Sequence, residues 1–328
     1  TPAEIVYLSA ADTELASLAN AVEHLGDESP ELRLANLMQL GHPMSVDLYV
    51  DDIIAHAKLV IVRLLGGIGY WNYGVEQVIA TARAHNIPVA LLPGDDQPDA
   101  ELTSRSTVPA QAYHRLWQYL VHGGPDNSRN LLSYATTLLG RDAPWLEPAP
   151  LAKAGLYWPG DTVLALTDLR AHWQADAPVA ALVFYRALVQ AGNIAPIDAL
   201  VEQLRVLGIN ALPIFCSSLK DPVSAGLTAQ LLGDADADII LNATGFAVAT
   251  PGVARASSPF DAVATPVLQV IFSGGNADAW ADDSQGLGAR DIAMNVALPE
   301  VDGRILSRAV SFKSEARYDE RTQASLVT

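Results

Sequence analysis

A single cysteine, Cys216, occurs among the 328 residues. That excludes an intramolecular disulfide framework and any zinc or iron–sulfur site built on several thiolates. Basic residues are scarce as well, with 20 Lys and Arg against 37 Asp and Glu, a net charge of −17. No face dense enough in cations to offset nucleic-acid phosphates or an anionic bilayer can be assembled, which excludes both as partners. No apolar run approaches the roughly 18 residues of a membrane span; the run at 59–62 stops at Arg63, a length suited to a buried strand. Only four lysines are present, Lys58, Lys153, Lys220 and Lys313, preceded by Ala, Ala, Leu and Phe. A Walker loop needs glycine before its lysine, so that backbone donors and the ammonium close round the phosphates. The chain therefore has no ATP site of that type. Seven histidines show no HxH, HExxH or i,i+4 pair, which removes a metal clamp built on a local histidine pair. There is no GxSxG elbow and no histidine near Cys216 in sequence, so nucleophilic hydrolase chemistry has no support.

What is present is apolar and periodic. Half the residues are hydrophobic, which rules out disorder, and the length suits about two domains. The first half predicts strands at 5–8, 32–36, 58–65 and 87–92, with helices at 13–24 (Asp12 as cap), 46–57, 70–85, 109–121 and 126–139. Three prolines between Gly140 and Pro150 predict a stiff linker over 141–151, separating a head domain at 1–140 from a second domain at 152–328. There the alternation restarts, with strands at 154–158, 179–184, 209–215, 238–241 and 267–271 and helices at 161–173, 197–207 and 290–298. The expected fold is α/β: two consecutive Rossmann-like or flavodoxin-like parallel-sheet domains joined by a Pro-rich linker.

Candidate sites follow from that frame. Gly66-Gly67-Ile68-Gly69 follows a strand and precedes a helix, where dinucleotide folds hold phosphates, but Asn72 replaces the third glycine of GxGxxG, and a tight turn is the simpler reading. In the second half, polar clusters follow successive strands: Gly192-Asn193, Ser217-Ser218-Leu219-Lys220-Asp221, Asn242-Ala243-Thr244-Gly245 and Ser273-Gly274-Gly275-Asn276. Parallel strands place their carboxyl ends along one edge, so these loops predict a polar cleft, although α/β loops are commonly polar without one. Glu300 and Asp302 in NVALPEVDG are paired carboxylates able to accept protons or hold a metal ion, or else a solvated turn. Arg63 and Arg186 lie at or beside strand ends, as ligand-binding cations or structural ion pairs. His42, before Pro43, reads as structural, and Cys216 as core packing.

The strings LRLANLMQLGHPMSVDLYV, AKLVIVRLLGGIGYWNYG, FYRALVQAGNIAPIDAL, LNATGFAV and AMNVALPEVDGRILSRAVSFK resemble the amino-terminal part of the large subunits of the CobN and magnesium chelatase family. The resemblance runs over nearly the whole chain. It implies a cytoplasmic, macrocycle- and metal-binding subunit of an ATP-dependent cobaltochelatase, a ligase forming nitrogen–metal bonds in aerobic cobalamin biosynthesis. Co²⁺ enters hydrogenobyrinic acid a,c-diamide, while ATP-Mg²⁺ is hydrolysed on partner subunits, one of them an AAA+ ATPase. It implies Glu300 as proton acceptor or metal-handling carboxylate, with Asp302 second, and Asn193, Asp198, Lys220, Asn242, Thr244, Asn295 and Arg186 as macrocycle-binding residues. Ile194 stands where the related AGNTAPID string has Thr, so no hydroxyl contact is expected there. Family members are several times longer, and the expectation is a truncated chain, inactive alone, with its metal ligands downstream. The competing expectation is a non-catalytic two-domain α/β module that binds a small ligand or docks proteins; a third makes residues 1 to about 145 purely a docking platform for the ATPase partners.

Overall fold

Consecutive apolar residues, rather than alternating ones, mark strands covered on both faces, and IVYLS and LVIVRL are of this kind. In the computed structural model, which describes residues 2–161, 163, 165–250, 257–282, 284 and 286–326, both are fully buried, as β1 (Ile5–Ser9) and β3 (Leu59–Leu64). With β2 (Leu32–Asn36) and β4 (Val89–Pro93) they form a parallel sheet ordered β2-β1-β3-β4. The pleat sends Ile5 and Tyr7 into one core with Leu15, Leu34 and Tyr119, and Val6 and Leu8 into another with Val62, Val75 and Leu102. Helices α1 (Asp12–Leu25), α2 (Pro43–Asp52), α3 (Asn72–His85), α4 (Ala100–Arg105), α5 (Ala110–His122) and α6 (Pro125–Leu138) complete this part. Helix α2 starts three residues earlier than its apolar spacing suggests. Pro43 occupies its first turn and His42 caps it, Nδ1 accepting the Met44 N–H at 3.2 Å.

The Pro-rich segment is held against α5 and α6. Tyr119 donates its hydroxyl to the Leu146 carbonyl, and the Asn127 amide accepts the Ala149 N–H and donates to the Ala149 carbonyl, both at 2.9 Å. The Arg115 guanidinium makes two bonds to Glu147, at 2.8 and 2.6 Å, and lies over the rings of Tyr134 and Trp145. The segment expected as a stiff linker is thus packed on the first unit and belongs to it, which no proline count reveals.

Contacts divide the chain into one unit of Thr1–Leu151, Gln190–Gly192 and Glu315–Thr328, and another of Ala152–Val189 and Asn193–Ser314. The sequence alone suggests a second domain running unbroken from 152 to 328. In the structure the chain instead returns after Ser314. The last strands, β11 (Arg317–Asp319) and β12 (Ala324–Leu326), pair antiparallel. Ala324 is buried in the first unit's core, and the Leu34 N–H donates to the Thr322 carbonyl at 3.0 Å.

The second unit has a six-stranded sheet ordered β10-β9-β8-β6-β7-β5. Its strands are β5 (Ala154–Leu156), β6 (Val179–Tyr185), β7 (Asn210–Cys216), β8 (Ile239–Asn242), β9 (Val267–Asn276) and β10 (Ile305–Lys313). All neighbours pair in parallel except β5, which runs antiparallel to β7. No crossover helix precedes β5 in this sheet, so nothing imposes the parallel direction on it. Helices α7 (Leu166–Arg170), α8 (Arg186–Ala191), α9 (Ala195–Val206), α10 (Pro222–Ala235) and α11 (Ala277–Asp282) follow in order. The helix expected at 161–173 is confined to α7 among the described residues; Thr162 and Leu164 lie outside them. Finally α12 (Ala289–Ile292), a π turn (Ala293–Ala297) and α13 (Leu298–Val301) run on as one helix into β10. No helix among the described residues is long and apolar enough to cross a membrane.

Candidate functional site

The carboxyl ends of β6, β7 and β8 share one edge of the second sheet, the place where open α/β sheets bind ligands. Tyr185 ends β6, Ser218-Leu219-Lys220 follow β7, and Thr244-Gly245-Phe246-Ala247-Val248 follow β8. Together with Arg304 they line a pocket of about 120 Å³.

Beneath it lies a buried polar network. Asn242 donates to Gln269 Oε1 at 2.8 Å and to the Thr244 carbonyl at 3.0 Å, and accepts the Thr244 hydroxyl at 2.8 Å. Gln269 in turn donates to the Thr244 carbonyl at 2.9 Å. Arg304 donates to the Thr244 carbonyl at 3.2 Å and to Asp302 at 2.7 Å. The side chains of that ion pair are 1% and 3% exposed. Burial pulls the Arg304 pKa below the usual arginine value, and Asp302 opposes that pull. Asp302 also accepts the backbone N–H groups of Val248, at 2.8 Å, and Ala249, at 2.9 Å. Every oxygen of this carboxylate is therefore committed to holding the loop after β8.

PEVDG is, in backbone terms, a helix terminus. The Asp302 and Arg304 N–H groups reach the Pro299 carbonyl, the Gly303 N–H reaches that of Glu300, and Gly303 adopts φ +74°. This is the glycine-terminated helix end that L side chains resist. Two residues before Asp302, Glu300 is exposed, and its carboxylate has no partner among the described residues.

Three of the sequence candidates converge on the pocket: Lys220 and Thr244 line it, and Asn242 braces Thr244 from below. Asn295 packs behind it. A Cβ on Gly245 would come within 3.0 Å of Asn295 Oδ1, and the Phe246 N–H donates to the Met294 carbonyl at 2.9 Å. Asn193, Asp198 and Arg186 are not among the lining residues. The Asp198 carboxylate accepts the Tyr157 hydroxyl at 2.6 Å, Arg186 donates to the Ala152 carbonyl at 2.8 Å, and half-buried Asn193 gives its N–H to the Leu188 carbonyl.

Tyr185, Phe246, Gln269 and Arg304 carry no site signal that the sequence analysis picks up. Arg304 alone has one to offer, as the cation two residues after a candidate carboxylate. Tyr185 donates to the Gly245 carbonyl at 3.0 Å, and burial pushes its phenol up to about 12. Phe246 has φ +62° and is 48% exposed, a conformation that is a genuine outlier for a bulky side chain.

Candidates in the first unit have structural tasks. Arg63 is buried, paired with Glu14 at 2.6 Å, and donates to the carbonyls of Pro93, Leu120 and Gly94. Gly66 and Gly67 take φ +87° and +74° in a tight turn, and a Cβ on Gly67 would meet Asp99 Oδ2 at 3.2 Å. A carboxylate so close repels phosphate. Cys216 is buried, and desolvation pushes its thiol up to about 12. Among the described residues no group of three or more His, Cys, Asp or Glu is placed to hold a metal ion.

The family profile described as CobN/Magnesium Chelatase matches residues 117–327. The chain belongs to the CobN/magnesium chelatase family. Over its full length it is 48% identical to the aerobic cobaltochelatase subunit CobN of a Sinorhizobium species and 46% identical to that of Pseudomonas aeruginosa. It spans 26% of the length of each. The chloroplastic magnesium-chelatase protein ChlH of Oryza sativa is 27% identical over 62% of the chain and 16% of its own length. Among solved structures, the catalytic subunit of cobaltochelatase from Mycobacterium tuberculosis matches all of this chain and 26% of its own, with 30% identity and a TM-score of 0.69. The CobN-family strings LNATGFAV and NVALPEVDGR thus contribute the loop after β8 and the helix end that clamps it.

Proposed function

We propose that this chain supplies, within the large subunit of an ATP-dependent cobaltochelatase, part of the wall that holds hydrogenobyrinic acid a,c-diamide while Co²⁺ is inserted. The observation that carries the reading is the crevice at the β6–β8 edge. In a chain of net charge −17, it has Lys220 and Arg304 in its lining, with no acidic residue among the described residues there. An acidic, amide-bearing macrocycle needs such a local excess of cations and donors.

Insertion of a divalent ion displaces ring N–H protons, so a carboxylate or histidine base near the ring has to accept them one at a time and pass them to solvent. Of the two PEVDG carboxylates, Glu300 is the exposed one, without a partner among the described residues, and serves as the proton acceptor. Asp302 serves as a positioning residue, since its oxygens already hold Arg304 and the loop. Lys220 and Thr244 face the substrate, Asn242 and Asn295 set the loop that presents them, and Asn193, Asp198 and Arg186 brace their own neighbourhoods. Co²⁺ is substrate, and ATP-Mg²⁺ is turned over by an AAA+ partner with its co-subunit, consistent with four lysines of which none follows a glycine.

The test is a titration of the chain with hydrogenobyrinic acid a,c-diamide, read by absorbance and calorimetry, beside chelation by the full-length complex carrying Glu300→Gln. Saturable one-to-one binding and at least a tenfold loss of chelation are expected. Chelation at the parent rate in Glu300→Gln removes that residue's role, and failure of the chain to bind a macrocycle that the full-length subunit binds removes the wall.

A further inference from the structure

The pocket at the β6–β8 edge is too small for a macrocycle. Ligand clefts for drug-sized molecules run from about 300 Å³ upward, whereas this one offers about 120 Å³, at about 30 Å³ per water-sized group room for roughly four heavy atoms. Only a short group fits it.

We infer that the pocket is a carboxylate subsite, taking a single side arm of acetate or propionate size from a larger ligand whose body lies outside against Phe246. Three independent observations converge. Charge comes first: no carboxylate stands in the described lining, Arg304 there is compensated by Asp302, whose oxygens are consumed by it and two amides, and the ammonium of Lys220 is left as the uncompensated charge. Unspent donors come second. Lys220 has no ion-pair partner among the described residues, and its N–H is tied to Ser218 Oγ at 3.1 Å, which fixes its loop. Arg304 is 5% exposed, and its Nε–H has no acceptor among the described residues, a state that buried donors rarely tolerate without a ligand or water.

Strain is the third. Phe246 is held in the left-handed region at the pocket lining, a conformation that persists only where surroundings over-determine it. They do so here. Tyr185 holds Gly245 O, Met294 O holds the Phe246 N–H, and Asp302 holds the Val248 and Ala249 N–H groups. Such outliers gather at ligand clamps, and this one leaves a half-exposed aromatic surface beside a cationic hole.

The identity of the body that bears the arm rests on the macrocycle reading; the carboxylate subsite does not. The whole chain, labelled with ¹⁵N, is titrated at constant ionic strength with propionate, with the neutral isostere propionamide and with inorganic phosphate. Saturable shifts of the amides at 244–248 with propionate are expected, with propionamide weaker by roughly tenfold or more, the usual share of a charge-assisted hydrogen bond. Lys220→Gln should weaken propionate by a similar factor, and Lys220→Arg should restore most of it. Equal shifts from propionate and propionamide, phosphate binding with no propionate binding, or propionate binding unchanged in Lys220→Gln each overturn the inference. Macrocycle binding unaltered by Lys220→Gln also overturns it while sparing the wall. Propionate held by a chain that ignores the macrocycle upholds the subsite and removes the wall.

Discussion

Replacing Asp302 by asparagine preserves shape and removes one charge, and the network converts that into a large loss. The carboxylate accepts from Val248 N at 2.8 Å, Ala249 N at 2.9 Å and Arg304 Nη2 at 2.7 Å. With an amide there, one of these donors faces another donor, and an arginine side chain 1% exposed is left without its counter-charge. Breaking a buried ion pair by removing one partner costs about 3–5 kcal/mol. At roughly 2–4 °C per kcal/mol for a domain of this size, the second unit should melt on the order of 6–20 °C lower. Scanning calorimetry reads this directly. Asp302→Asn with Arg304→Met in the same chain should recover a good part of the loss, because the stranded charge is gone, giving a coupling of about 1–3 kcal/mol. A single variant melting within about 1 °C of the parent would refute the clamp. A variant of unchanged stability whose full-length complex no longer chelates would return Asp302 to the role of proton acceptor.

Other consequences are as specific. Cys216 and Tyr185 are neutral when protonated, and both are pushed up to about 12 by burial, above their unfolded values of roughly 8.5 and 10. The native state thus holds these protons more tightly. Their contribution is complete below about pH 8.5 and drains away as pH rises toward 12, so the melting temperature should slope downward through that window and Cys216→Ala should flatten part of the slope. A thiol reagent at pH 8 should leave native Cys216 untouched; rapid labelling would contradict its burial. In the first unit, a Cβ on Gly74 would fall inside the Trp71 indole, which is buried and donates to the Leu40 carbonyl at 2.9 Å. Gly74→Ala should therefore cost about 1–3 kcal/mol by thermal unfolding, and an unchanged melt would show that the ring has room to move. Ending the chain at Ser314 removes Ala324 from the first core and the Thr322 carbonyl from Leu34. It should raise hydrogen exchange along β2 and leave β6–β8 protected; equal protection of β2 would detach the tail from the first unit.

Strands buried on both faces were legible because runs of apolar residues mark them, as in VAALVFY of β6 and LVIV of β3, where buried Arg63 is the exception and is paired with Glu14. An edge strand has no such constraint. ILSRAVSFK of β10 mixes exposed Ile, Leu, Ser and Arg and carries neither period, and PVSAGLTAQLLGDA of α10 lacks the charged face that advertises an amphipathic helix. The return of the chain at Glu315 was hidden for a related reason: β11 and β12 span three residues each, too few to show alternation. At the site, the rule that parallel strands share a carboxyl edge found Lys220, Asn242 and Thr244. It also nominated Asn193 and Arg186, because polarity at a strand end does not say which way a side chain turns; Asp198 came from the family resemblance alone and lies in α9. Gln269 was missed because its partners Asn242 and Thr244 lie far away in sequence, and Arg304 because its bond to the distant Thr244 carbonyl, rather than its neighbour Asp302, is what brings it to the site.

The PEVDG segment shows why two carboxylates two residues apart take opposite fates. Side chains at i and i+2 do not share a helix face, so once Gly303 stops the helix with φ +74°, Glu300 and Asp302 must point to different surroundings. Asp302 turns inward to amides that would otherwise be unpaired and to an arginine that would otherwise be uncompensated; Glu300 keeps its carboxylate in water. One helix end therefore both fixes the loop at 244–249 and carries an unspent base on the same short rigid piece. Moving that helix end moves both. A substitution that leaves both carboxylates in place but loosens the stop, such as Gly303→Val at a φ that β-branched residues resist, should then weaken ligand binding and chelation together. Glu300→Gln should lower chelation alone, and a Gly303→Val chain that binds normally while losing chelation would show that the two tasks are not mechanically joined.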